Sequence, residues 1–86
     1  MTANPFNKVE EMDYLINFVR DNLQFSNVEI RAAIEKVANN HIPLERADID
    51  LSRELESILV DYCDEYHTDI ASIYDALTLE ELISKL

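Results

Sequence analysis

Residues 51–66 read LSRELESILVDYCDEY, and the spacing of their apolar side chains decides what kind of fold the chain can have. Leu51, Leu55, Ile58, Leu59, Tyr62 and Tyr66 recur at the intervals that keep residues on one face of an α-helix. On a wheel of about 100° per residue with Leu51 at zero, Glu54, Asp61 and Glu65 line one flank of this stripe at about −40° to −80°. Asp64 at about −140° and Glu56 at about +140° face away from it. Val60 falls opposite the stripe. The two tyrosines lie inside it, where rings bury apolar area and hydroxyls reach the edge. Asp50 or Ser52 is the expected N-cap of this third helix.

Outward from this segment the same period continues. Val9, Met12, Ile16, Val19 and Leu23, widened by Leu15 and Phe18, predict a first helix over 8–24. Ser26 followed by Glu29 is a capping box, so a second helix starts there with Ile30, Ala33, Ile34 and Val37 inward and His41 extending the stripe. It fades at Asn39 or Asn40, because Pro43 disfavours helix at Ile42. IPLERADID then reads as a connector with Ile42, Leu44 and Ile49 tucked against the bundle. Thr68 or Asp69 caps a short fourth helix with Ile70, Ile73, Tyr74 and Leu77 inward. Thr78 and Glu81 form a second capping box for a last one, carrying Leu79, Leu82, Ile83 and Leu86. These last two helices could also run together. With no repeat, low-complexity tract or long linker, residues 1–86 are expected to form one all-α domain, a small bundle of four to five short helices.

Composition narrows the function classes. The chain has 0 glycines, which removes the phosphate-cradling P-loop and the dinucleotide fingerprint, both built on glycine. No apolar run exceeds three residues, far from the ~20 that cross a bilayer, so no membrane association is expected. The opening MTANPFNKVEE lacks the basic-then-apolar order of a secretory leader. A single cysteine allows no internal disulfide, and the cytoplasm is the expected location.

Charge is lopsided. The net charge is −11, and from Glu54 to Glu81 there are nine acidic residues and no Lys or Arg. Such a surface repels phosphate backbones, so direct nucleic-acid binding is not expected. Asp64 and His67, with Asp61, Glu65 or Asp69 nearby, have the composition of a metal site, but the wheel spreads the acids and no second Glu-x-x-His copy exists; no metal or cofactor is expected. Cys63 sits near the margin of the apolar face among acids that oppose thiolate formation, which suits a core-edge residue better than a nucleophile. The serines have no companion base, and so small a bundle seldom supplies a catalytic cleft, so the expectation is a protein that is not an enzyme.

The closing LTLEELISKL is similar to the last helix of acyl carrier proteins. Their Asp-Ser-Leu attachment signature is absent, Asp50-Leu51-Ser52 having the wrong order, and the tyrosine-pair-proline motif of colicin immunity proteins is absent too. Neither family is assigned. What remains is a protein–protein interaction module, an adaptor or regulator that presents an acidic, tyrosine-bearing helical surface to a basic partner through Glu54, Asp61, Asp64, Glu65 and Asp69. The alternative is a nucleic-acid mimic whose carboxylates occupy the basic groove of a DNA- or RNA-binding protein. A weak homodimer that covers leftover apolar residues such as Phe6, Phe25 or Leu86 is a further expectation.

Overall fold

Asp48 starts the longest helix: its Oδ1 accepts from the Leu51 amide at 3.1 Å, and the helix runs as Ile49–Tyr66 until His67 turns the chain out of it. The computed structural model describes residues 4–86. Among them the order is α1 (Lys8–Asn22), α2 (Asn27–Asn40), α3 (Leu44–Ala47), α4 (Ile49–Tyr66), α5 (Ile70–Ala76) and α6 (Leu79–Ser84). No strand is present among the described residues, only one isolated parallel bridge between Asn4 and Thr68. The chain is all-α, with six helices where four to five were expected.

The core is one cluster with α4 as its spine. Leu51, Leu55, Ile58, Leu59 and Tyr62 are buried together with Leu15 and Val19 of α1, Ala33 of α2, Leu44 of α3, Ile73 of α5 and Leu79, Leu82 and Ile83 of α6. α1, α3 and α5 all pack on α4, while α2 is held by α3 and α6. Gln24 meets Glu54 and Phe18 meets Tyr62 and Tyr66, so α1 runs antiparallel to α4. At about 1.5–3 kcal/mol per fully buried aliphatic side chain, this cluster is the main source of stability.

Four ties join the first part of the chain to the last. Asn4 donates its amide to His67 O at 2.9 Å and accepts from the Asp69 amide at 2.9 Å. The Phe6 amide donates to Ser72 Oγ at 2.7 Å, and the Phe6 ring packs edge-on against Tyr62. Lys8 Nζ pairs with Glu81 at 2.6 Å and donates to Ala76 O at 3.2 Å. Arg20 Nη2 donates to the carbonyls of Lys85 and Leu86, each at 3.1 Å.

Helix ends follow local chemistry. Ser26 Oγ accepts from the Glu29 amide at 3.2 Å and Thr78 Oγ1 from the Glu81 amide at 3.1 Å, as the capping-box spacings predict. α5 and α6 are separate, because Leu77 is extended between them (φ −154°, ψ 155°). α2 and α4 both end on a histidine in the left-handed region, His41 and His67, each with φ 53°. That conformation is usually glycine's, and a chain without glycine fills it with residues that pay a steric cost.

Several expectations are corrected. α1 ends at Asn22, not 24, and Val9 is 94% exposed, because Lys8 is the first-turn residue that faces α6. His41 is exposed: the chain leaves the helix there and its side chain joins no stripe. The connector contains α3, which buries Leu44, whereas Ile49 is 52% exposed. With Asp48 as the cap, Ile49 becomes the first residue of α4 and Ser52 turns inward in place of capping. Tyr74 is 45% exposed, since Ile73 and Leu77 supply the inward contacts of so short a helix. Phe6 is buried within the monomer, which removes it from the apolar surface left for a homodimer.

Candidate partner-binding surface

The last two turns of α4 combine an aromatic step with three exposed carboxylates. Tyr62 and Tyr66 stand one helical turn apart with ring centroids 4.6 Å from each other. Phe18 of α1 meets both rings edge-on, at 5.5 Å and 6.1 Å. Tyr62 is fully buried and its hydroxyl donates to Glu11 Oε1 at 3.1 Å. Burial first, and the Glu11 carboxylate second, push its ionisation well above the usual tyrosine range. Tyr66 is 46% exposed, less inward than its place in the stripe suggested. Held by two rings and half open to solvent, it offers a contact whose rotamer is already fixed. Tyr14, exposed and one turn before Phe18 on the same face of α1, extends this aromatic side.

The five carboxylates expected to meet a partner divide into two groups. Asp69 Oδ1 accepts from the Ala71 amide at 3.3 Å and caps α5. Glu54 Oε1 accepts from the Gln24 amide at 3.2 Å and pins the α1–α2 turn. Both serve the fold. Asp61, Asp64 and Glu65 are exposed and make no hydrogen bond or ion pair among the described residues. Asp64 and Glu65 each stand about one turn from Asp61 but, being consecutive, point about 100° apart from each other, and Val60, 50% exposed, lies one turn before Asp64. Two further acids of the uninterrupted run are also anchors: Glu80 Oε1 accepts from the Leu44 amide at 2.8 Å, and Glu81 pairs with Lys8.

Electrostatics run against this placement. Like charges at these spacings destabilise an isolated helix by about 0.2–0.5 kcal/mol per pair. Carboxylates near a helix C-terminus face the negative end of its dipole, and α4 has no basic residue in its last turn. The same field reaches Cys63, half-buried, whose thiol is held above its usual range by burial and then by Asp69 and Asp64. An unreactive thiol is the result. Among the described residues no three or more His, Cys, Asp or Glu side chains gather to hold a metal ion, and no helix is long and apolar enough to cross a membrane.

No known family, curated protein or solved structure matches this chain. The sequence named Asp61, Asp64 and Glu65 but not their separation from Asp69 and Glu54, because capping depends on where a helix starts. It also left Tyr14 and Phe18 out of the surface, although their i, i+4 spacing was there to read.

Proposed function

We propose that the protein is a non-enzymatic interaction module that binds a basic partner protein on the outer face of the last two turns of α4. Asp61, Asp64 and Glu65 supply the charge, and Val60, one turn before Asp64, an apolar contact. The observation that carries this reading is the siting of the three carboxylates. Asp61 stands one turn from both Asp64 and Glu65, and the latter two lie in the last turn, at the unfavourable end of the helix dipole with no internal cation, so the fold gives up stability there without gaining a cap or a tether. Departures of this kind from local consistency collect at functional surfaces. A cationic partner reverses the sign of each term, and complementary charge speeds its approach.

The test is capture of partners from the native lysate on immobilised protein, followed by a salt titration, with the triple variant Asp61→Asn, Asp64→Asn, Glu65→Gln alongside. The expected result is a captured protein whose retention falls steeply with salt and is lost on the triple variant, while that variant melts no lower than wild type. Equal retention on both baits would overturn the proposal. Release of DNA or RNA from the captured protein would favour the mimic reading over an adaptor.

A further inference from the structure

On a second surface, where α1, α2 and the end of α6 meet, the charge is reversed. Two shallow depressions lie side by side there and share Arg20. One, of about 510 Å³, is walled by Met12, Ile16 and Lys85; the other, of about 380 Å³, by Leu23, Phe25, Ile30 and Leu86. A third of about 250 Å³ continues from Ile30 and Leu86 to Ile34 and Arg31. Asp13 is the one acidic side chain lining any of the three, against the cations Arg20, Arg31 and Lys85. In a chain with 18 acidic residues and 7 basic ones, that is an inversion.

Arg20 is fixed in place. Its Nη2 donates to the carbonyls of Lys85 and Leu86, and its Nε and Nη1 donors take no bond among the described residues. A guanidinium held in this way offers hydrogen bonds to a carboxylate with little further loss of freedom. Apolar side chains stand to either side of it, Met12 and Ile16 in one depression and Leu23, Phe25 and Ile30 in the other, so an occupant that pairs with Arg20 meets an apolar contact on each side. From Met12 to Leu23 the groove follows α1 for about 16 Å, three helical turns.

We infer that this groove receives an amphipathic helix of an acidic partner, with an Asp or Glu on Arg20 and apolar side chains about one turn to either side. A fatty acid, with its charge at one end, matches the central cation less well. A second copy of this chain does not supply the segment, because among the described residues no two of its exposed large apolar side chains, such as Val9, Val28 and Val60, stand seven positions apart on one helix. The net charge of −11 slows the approach of any acidic segment, so the affinity arises from contacts inside the groove, within a Debye length of about 8 Å. The protein then has two faces of opposite preference, and this second one stands whether or not α4 binds a basic partner.

The experiment is fluorescence anisotropy with a labelled peptide of about 18 residues, long enough to hold a helix, carrying Leu at i and i+7, Glu at i+3 and i+4 and Glu on its rim. A version with Lys at every Glu position is the control. The acidic peptide should bind saturably, and Arg31→Glu and Ile16→Glu should each weaken it by about tenfold or more. Melting curves verify that each variant is folded. Equal affinity for the lysine peptide, unchanged affinity in both groove variants, or no saturable binding of the acidic peptide to folded wild type would each overturn the inference.

Discussion

Glu11 joins the start of α1 to the most deeply buried ring of α4: its Oε1 accepts from the Tyr62 hydroxyl at 3.1 Å while its Oε2 accepts from the Asn7 amide at 2.8 Å. One carboxylate thus satisfies a buried phenol and closes a helix cap. Tyr62→Phe keeps the ring and removes the first of these bonds, at an expected cost of about 1.5–3 kcal/mol, the range for a hydrogen bond to a charged group. Leu55→Ala, which empties a fully buried site on the same helix, should cost more, about 2–5 kcal/mol. Urea unfolding measures both, and a phenylalanine variant as stable as wild type would show that the Glu11 bond contributes nothing.

Stability should fall in alkali. Tyr62, Tyr74 and Cys63 all ionise at higher pH in the folded protein than their usual values of 10.0, 10.0 and 9.0, with burial as the first cause in each. Below those values both states are protonated and the full stability is present. As pH rises past them, the unfolded chain loses protons that the folded chain keeps, so unfolding is increasingly favoured. Melting temperature should therefore decline steadily from about pH 9 upward, and less steeply in Tyr62→Phe. A flat profile between about pH 8 and 11 would contradict the burial of these groups.

Asp64 and Asp69 lie five positions apart and should respond in opposite directions. Asp69→Ala removes the cap of α5 and should destabilise by about 0.5–2 kcal/mol. Asp64→Asn relieves repulsion near the end of α4 and should leave the melting temperature unchanged or slightly raised. Differential scanning calorimetry of the two variants distinguishes the carboxylate that holds the fold from the one left to solvent.

His41→Gly and His67→Gly should each stabilise the protein by up to about 1 kcal/mol, because glycine adopts the left-handed region without the steric cost a Cβ imposes. His67→Val should destabilise, since a β-branched residue is the worst fit at φ 53°. Denaturant midpoints decide the matter. A glycine variant less stable than wild type would mean that the histidine side chains contribute more than the backbone strain costs.

The helical character was legible because α4 is long and its stripe unbroken from Leu51 to Tyr62. The N-caps Ser26 and Thr78 were legible because each accepts from the amide three residues on, a neighbour in sequence. What escaped was set by distant partners. Val9 satisfies the period of α1, yet the fully buried Leu15 and Val19 centre the inward face about 100° away from it, on the side of Lys8. Tyr74 continues an apolar pattern, but a helix as short as Ile70–Ala76 has contact on one side only. Of the five carboxylates singled out, Asp61, Asp64 and Glu65 could be read from their spacing. Glu54 was claimed by the turn at Gln24, thirty positions upstream and silent in the local pattern.

The ties from Asn4, Phe6, Lys8 and Arg20 to residues 67–86 bear on how the protein is made. Each closes a loop spanning most of the chain, so its entropic cost falls due before any of its contacts form. A ribosome delivering the protein from the N-terminus releases α1 long before α6 exists to receive it, and native assembly must wait for nearly the whole chain to emerge. During that interval the part that emerges first, residues 1–43, carries six acidic and four basic side chains, so charge does little to keep the uncovered stripes of α1 and α2 on nascent copies apart.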